Sequence, residues 1–356
     1  MKAAILDIGS NSVLLLIGER TLEGWRVLTD QAAITRLGEG FEPDRTLKPR
    51  VVQRTLDAIE AYLSLCRQMG VEKTVAVATA VVRKATNREV LLQPLQERGC
   101  PVRILSEREE AEMSFLSVAL DPAMGQYGTH ELPSQATEEA ANGEPFDIVA
   151  YSRKRVPFAR PRFSANGGQQ SEYVDTEEEK WLVIDIGGGS VELVYGATCR
   201  DTSKLRWHSL PLGALTLREQ MAPSNPPHPK EIERVSTWLE RQFRFLKHLP
   251  PPAQCVSVGG TGVNLALLWH GLSDIPTTLS EIHGTELDIY NLQKLLNLLL
   301  DLRDEERAQL PGVEPGRAPV LHIGALILRR ALDALQLDKV RISTYGVRYG
   351  VLWSLD

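Results

Sequence analysis

Two stretches of the chain set an aspartate at the head of a turn of small polar residues. They are Asp7-Ile8-Gly9-Ser10-Asn11-Ser12 and Asp185-Ile186-Gly187-Gly188-Gly189-Ser190. A Gly/Ser turn after a buried strand presents several backbone N–H groups on one side, a concave donor surface suited to phosphate oxygens. Glycine lets a ligand approach the backbone closely, and serine adds a hydroxyl donor. Asp7 and Asp185 are anionic and cannot bind phosphate themselves. They can hold a hydrated Mg²⁺ that bridges to it, because Mg²⁺ prefers carboxylate oxygen and several waters. A third short run, Gly259-Gly260-Thr261, also follows a strand-like segment. Asp and Gly are common in ordinary hairpin turns, so one copy would carry little weight. Three such turns point to a phosphate cleft. No GxxxxGK[ST] pattern occurs, which excludes a Walker-type nucleotide site.

The two long turns belong to a wider repeat. Residues 5–18 align without a gap on residues 183–196, with Asp, Ile, Gly, Ser, Val, Leu and Gly recurring in register. Two distant copies indicate a duplicated unit rather than a solenoid. They are not equivalent, because Glu192 stands where the first copy has Leu14. A carboxylate just past a phosphate loop suggests a functional asymmetry; an ordinary solvent-facing strand residue is the alternative.

The elements around these turns read as alternating strands and helices, the pattern of an α/β fold. Strands are expected at 3–8, 13–17, 25–30, 31–37, 74–79 and 102–105. Helices are expected at 49–69, where Val52, Leu56, Ile59 and Leu63 follow helical spacing, and at 87–98. Ser106 and Glu109 form a capping box that opens a further helix. A second domain begins at Trp181 with the same strand–turn–strand opening. Helices are expected at 230–248, 263–269, 289–301, 319–335 and 345–356, and strands at 255–258 and 340–343. Residues 121–180, rich in Gly, Ser, Gln and Glu, cannot bury enough apolar surface to order themselves. They read as an insert between domains 1–120 and 181–356. The insert carries a basic patch, Arg153, Lys154, Arg155, Arg160 and Arg162, which fits a solvated loop better than a polyanion contact.

With 356 residues, 43% hydrophobic and 24% charged, the chain suits about two globular domains of roughly 150 residues each. A net charge of −6 argues against nucleic-acid binding and against a polybasic membrane protein. The four cysteines, Cys66, Cys100, Cys199 and Cys255, show no metal spacing and read as reduced thiols. The apolar run before Asp7 is too short for a signal peptide, and no stretch approaches the roughly 18 apolar residues of a membrane span. A cytoplasmic location is therefore expected.

Taken together, DIGSNS, DIGGGS and GGT resemble the actin, sugar-kinase and heat-shock-chaperone superfamily of duplicated ribonuclease-H-like domains. Within it the chain is most similar to the exopolyphosphatase and guanosine pentaphosphate phosphatase family. Further matches are RLGEGF from Arg36, ATAVVRKATN from Ala78, SEREEA from Ser106, HGTEL from His283, RAPVLHIGALIL from Arg317 and YGVRYGVL from Tyr345. The resemblance covers nearly everything but the insert. It implies Mg²⁺-dependent hydrolysis of terminal phosphoanhydrides in a cleft between two domains. Glu110 falls on the family's catalytic glutamate and Arg83 on its phosphate-contacting arginine. Asp185, Gly187, Gly188, Gly189, Ser190 and Glu192 fall on the second phosphate loop and its acidic residue; Arg36 is placed in the cleft. Departures from the family pattern are Glu112 in place of a frequent Arg, Pro319 in place of an acid and Tyr349 in place of Glu. They bear on chain-length preference. The favoured reading is an exopolyphosphatase acting on inorganic polyphosphate. The runner-up is a guanosine pentaphosphate phosphatase, and a non-catalytic polyphosphate or alarmone sensor is the alternative of a different class. A homodimer is compatible with each.

Overall fold

The structure is a computed structural model and describes residues 1–22, 24–121, 123–124, 179–197, 204–272 and 275–355. Most of the insert, including the basic patch at 153–162, and Cys199 lie outside the described residues.

The first half runs β1 (Lys2–Ile8), β2 (Ser12–Thr21), β3 (Gly24–Ile34), α1 (Pro49–Gln68), β4 (Lys73–Ala78), α2 (Ala80–Lys84), α3 (Glu89–Glu97), β5 (Val102–Ile104) and α4 (Glu107–Ala119). Its sheet has the order β3-β2-β1-β4-β5. β1 is antiparallel to β2 and parallel to β4. It lies mid-sheet and is buried on both faces from Ala3 to Ile8, which explains why its sequence is a continuous apolar run rather than an alternation. The expected strands 25–30 and 31–37 form one edge strand, β3, which stops at Ile34. Beyond it the chain turns through Arg36, whose φ of 47° ends strand geometry. α1 buries Val52, Leu56, Ile59 and Leu63, the expected stripe.

The second half runs β6 (Lys180–Ile186), β7 (Val191–Ala197), β8 (Arg206–Leu210), α5 (Ala214–Met221), α6 (Pro229–Gln242), β9 (Gln254–Val258), α7 (Gly259–His270), α8 (Ile275–Ile282), β10 (Glu286–Asp288), α9 (Ile289–Asp301), α10 (Asp304–Arg307), α11 (Ala318–Leu335), β11 (Lys339–Ile342) and α12 (Val347–Trp353). Its sheet has the order β10-β11-β9-β6-β7-β8. Read from β8, the series β8-β7-β6-β9-β11 repeats the order of the first sheet. The strand directions repeat as well, and β10 is an added edge strand. The repeat around the two aspartates is thus a repeat of a whole α/β topology, as the fold expectation holds. The helix expected at 230–248 is α6 followed by a separate 3₁₀ turn, Phe243–His248.

Each half is completed by a helix from the other half of the chain. α4 buries Ala111, Phe115 and Val118 against Trp181, Val183, Val194, Val256 and Val258 of the second sheet. α12 buries Val347, Tyr349, Val351 and Leu352 against Ala3, Ile5, Leu16 and Val77 of the first. The two helices also pack on one another. Gly350 faces the Met113 carbonyl so closely that any Cβ there would overlap it. Gly350→Val should force this crossing apart and destabilise the protein by about 1–3 kcal/mol, the usual cost of overpacking. Urea unfolding of the purified variant, with its midpoint lowered and its slope unchanged, is the expected result.

Candidate active site

The two turns have one construction. Each is closed by a backbone hydrogen bond, Gly9 N–H to the Ser12 carbonyl at 2.9 Å and Gly187 N–H to the Ser190 carbonyl at 3.0 Å. In the first turn the carbonyls of Ser10 and Asn11 accept from Gly38, Thr35 and Arg36. In the second, the carbonyls of Gly187 and Gly188 accept from Ala214, Leu215 and Thr216. The amides of Ser10, Asn11, Gly188 and Gly189 donate to no acceptor among the described residues. With their carbonyls tied back, these amides are free to serve as the donor nest that phosphate requires.

The turns face each other across the two halves. A Cβ on Gly188 would lie 3.3 Å from Asn11, and one on Gly189 would overlap the Ser10 hydroxyl. Asn11 is buried, with both its side-chain amide nitrogen and oxygen unpartnered. Ser12 and Ser190 are also buried. The third segment is a correction to the expected loop. Gly259, Gly260 and Thr261 form the first turn of α7, which starts four residues earlier than the expected 263–269 helix. Gly259 carries φ of +83° beside the Asp185 carboxylate, so the residue must be glycine.

Four carboxylates converge here. β-ladder register sets Glu192 directly opposite Asp185, as Leu14 lies opposite Asp7. Like charges opposed across a ladder are destabilising. Glu192 is buried rather than solvent-facing, at 1% exposure, and accepts from the Ser209 hydroxyl at 3.0 Å. Burial, then the charges of Glu110 and Asp185, hold it well above the ordinary carboxylate range. Burial pushes Asp7 up to about 7, against the Arg348 guanidinium and with a further push from Asp185. Asp185 is raised by burial, against the Ser114 hydroxyl, which donates to it at 2.6 Å, and against Arg348. Glu110 lies in the first turn of α4 behind the Ser106–Glu109 capping box. Burial pushes it up to about 7 even though Arg83 opposes the shift.

Arg83 sits on α2, a one-turn helix that the β-branched pair Val81-Val82 concealed in the sequence. Its Nη1 donates to Glu110 at 2.9 Å and to the Leu105 carbonyl at 2.7 Å; its Nη2 is buried and unpartnered. Arg36 lies apart from this cluster in its bonding. Its guanidinium spans the halves and donates to the Gly316 carbonyl at 3.0 and 3.2 Å. Thr261 packs against Gly324 of α11.

Sequence reading passed over four cations and hydroxyls at this site. Lys84 donates to the carbonyls of Gly189 and Pro211 at 3.3 and 2.7 Å, tying α2 to the second turn; burial, then Arg83, lower its pKa. Arg317 pairs with Glu314, covers Gly260 and donates to the Ser12 hydroxyl at 3.4 Å. Its sequence signal was a cation at a helix N-terminus, where the dipole disfavours it. Ser114, one helical turn beyond Glu110, carried no signal. Arg348 is buried, is held by Asp30 at 2.7 and 2.9 Å, and faces both aspartates electrostatically. Tyr349 donates to the same Asp30 at 2.9 Å and stacks on Tyr345. This departure from the family pattern therefore has a partner of its own.

The chain is similar to known proteins along most of its length. The Ppx/GppA phosphatase family profile matches residues 17–125 and 168–356; the break falls within the low-complexity insert. The chain is 24% identical to Exopolyphosphatase 1 of Mycobacterium tuberculosis, over 99% of the chain and 87% of that protein. It is 25% identical to Exopolyphosphatase 2 of the same organism, over 99% and 98%. The crystal structure of the Aquifex aeolicus Ppx/GppA family member superposes with a TM-score of 0.69 and 26% identity, covering 100% of this chain and 97% of that one. An exopolyphosphatase from Cytophaga hutchinsonii shares the fold at a TM-score of 0.77, with 18% identity over 100% and 97% of the two chains. A profile match across most of the sequence and structural agreement along its length lead to one conclusion: the chain belongs to the Ppx/GppA phosphatase family.

Proposed function

We propose that the chain is an exopolyphosphatase, a hydrolase that cleaves the terminal phosphoanhydride of inorganic polyphosphate and releases orthophosphate. The observation that carries this reading is Arg83, which grips Glu110 with one guanidinium nitrogen and keeps another buried and unpartnered, on the helix α2 whose Ala80 abuts Gly189 of the second turn. Phosphoryl transfer asks for positioning and charge neutralisation more than covalent chemistry. That arrangement offers both, next to a carboxylate near neutral pKa. The names of the curated relatives point to the same substrate.

In the proposed step the terminal phosphate rests on the amides of Ser10, Asn11, Gly188 and Gly189, with the free nitrogen of Arg83 on one of its oxygens. Glu110 orients a water, takes its proton as the water oxygen attacks phosphorus, and the bridging P–O bond breaks. The shortened polyphosphate leaves with that electron pair. A base is most effective with a pKa near the working pH, and burial places Glu110 there. Glu192, also buried, keeps a high proton affinity close by.

Among the described residues, no three His, Cys, Asp or Glu converge into a closed metal cage. Asp7 and Asp185 fit a looser arrangement, Mg²⁺ held by one or two carboxylates, waters and substrate phosphate. These two buried hard-oxygen donors would hold it, and bound Mg²⁺ would supply positive charge to the phosphoryl oxygens. No described helix is long and apolar enough to cross a membrane.

The direct test incubates the purified protein with Mg²⁺ and either polyphosphate or guanosine pentaphosphate, and measures released phosphate. Release from polyphosphate is expected, and chelation with EDTA should abolish it. Release from guanosine pentaphosphate alone would transfer the assignment to that substrate; binding without release would make the chain a sensor.

Glu110→Gln should lower kcat by about 10² to 10⁴-fold, the usual worth of a general base, with polyphosphate still bound. Glu109→Gln should change little, since Gln still completes the capping box. The acid limb of the pH profile follows from Glu110. It works deprotonated, so kcat/KM should rise as pH passes through about 7. Arg83 opposes the upward shift by its charge and by its hydrogen bond. Arg83→Ala should therefore move that limb to higher pH as well as weaken substrate binding, and a limb that stays in place would separate Arg83 from the base.

A further inference from the structure

The second half carries a groove of about 750 Å³ between α6, the 3₁₀ turn after it, and α11. One wall is a row of exposed cations, Arg241, Arg244 and Lys247. They recur every third residue where the chain passes from α6 into the 3₁₀ turn Phe243–His248. A 3₁₀ helix has three residues per turn and rises about 2 Å per residue, so side chains three apart are stacked at steps of roughly 6 Å. Arg244 and Lys247 are thus stacked, with Arg241 just before them at the end of α6, and none of the three cations is paired with a carboxylate among the described residues. The opposite wall holds Arg329 and Arg330 of α11. Asp333 pairs with both, and Glu240 reaches Arg330 only at 3.7 Å. Arg330 keeps a buried Nε without a partner. Five cations against two acids leave the groove positive on a chain whose net charge is −6.

The groove is separate from the cleft but shares a helix with it. Pro319, beside Arg317 at the site, and Arg330 are eleven residues apart on α11, roughly 16 Å along a helix. We propose that this groove is a docking site for the distal part of a long linear polyanion, an inorganic polyphosphate chain whose end is being cut in the cleft. The inference rests on the polyphosphate reading. Its basis is charge complementarity and shape: a groove lined by closely spaced, unpaired cations matches a ligand of evenly spaced negative charges. A substrate of three phosphates is shorter than the helix segment between groove and cleft and cannot occupy both.

The test uses the triple variant Arg241→Gln, Arg244→Gln and Lys247→Gln, whose side chains are exposed, in the full chain with Mg²⁺. Substrates are tripolyphosphate and a polyphosphate of several hundred units, assayed for phosphate release. The expected result is a rise in KM of about tenfold for the long chain, the scale at which a charged groove concentrates its ligand, with kcat and tripolyphosphate kinetics unchanged. Added salt should raise the wild-type KM for the long chain and should affect the variant less. As a readout apart from turnover, labelled long polyphosphate should bind Glu110→Gln protein more tightly than the same protein carrying the triple substitution. If the wild type cleaves both substrates and the variant matches it on the long chain, the groove proposal is overturned. An equal loss on both lengths overturns it as well, because the residues would then act through the cleft or the fold. A wild type that cleaves neither polymer would instead remove the exopolyphosphatase reading itself.

Discussion

Eight backbone groups govern the site. The carbonyls of Ser10, Asn11, Gly187 and Gly188 are held by amides of the segments that follow each hairpin. The amides of Ser10, Asn11, Gly188 and Gly189 are left over. A peptide plane cannot turn both its ends inward, so fixing the carbonyls of Ser10, Gly187 and Gly188 fixes where the amides of Asn11, Gly188 and Gly189 point. The apolar strands, the edge turn at Arg36 and the start of α5 all serve this orientation. They bring amide dipoles, rather than flexible side chains, to the place where negative charge must sit.

Acids buried in an apolar interior are costly unless paired, and the charges of Arg83, Lys84 and Arg348 act on the carboxylates of the site. The two halves are equal in topology but unequal in chemistry. Asp185 faces Glu192, whereas Asp7 faces Leu14. The duplication supplied a symmetric cradle, and one substitution in it concentrated proton-binding groups on one side.

Much of this was legible in the sequence. The paired turns, the duplication, the capping box at Ser106 and the long stripe of α1 are local signals, and each became an element at its expected place. What stayed hidden was set by tertiary contact. α2 is a single turn with β-branched residues, so its sequence favours a strand, and only its position after β4 makes it helical. Gly259-Gly260-Thr261 read as a loop because glycine is a poor helix former. Yet the helix starts there, since Gly259 must pass the Asp185 carboxylate and Gly260 must leave room for Arg317. Lys84 and Arg317 act on residues more than a hundred positions away, a distance no periodicity reports. Glu192 was ambiguous because its neighbours along the chain do not reveal which face is covered; β8 and Ser209 do.

The exchange of α4 and α12 sets the order in which the molecule can be finished. Ala3, Ile5, Leu16 and Val77 lie early in the first half, and they are covered by residues 347–353, which come far later along the chain. The first sheet thus keeps one apolar face bare until α12 arrives. Closing so long a loop is slow relative to local pairing. Until then the first half is an unfinished body with an adhesive face, and α12 is the stitch that closes it.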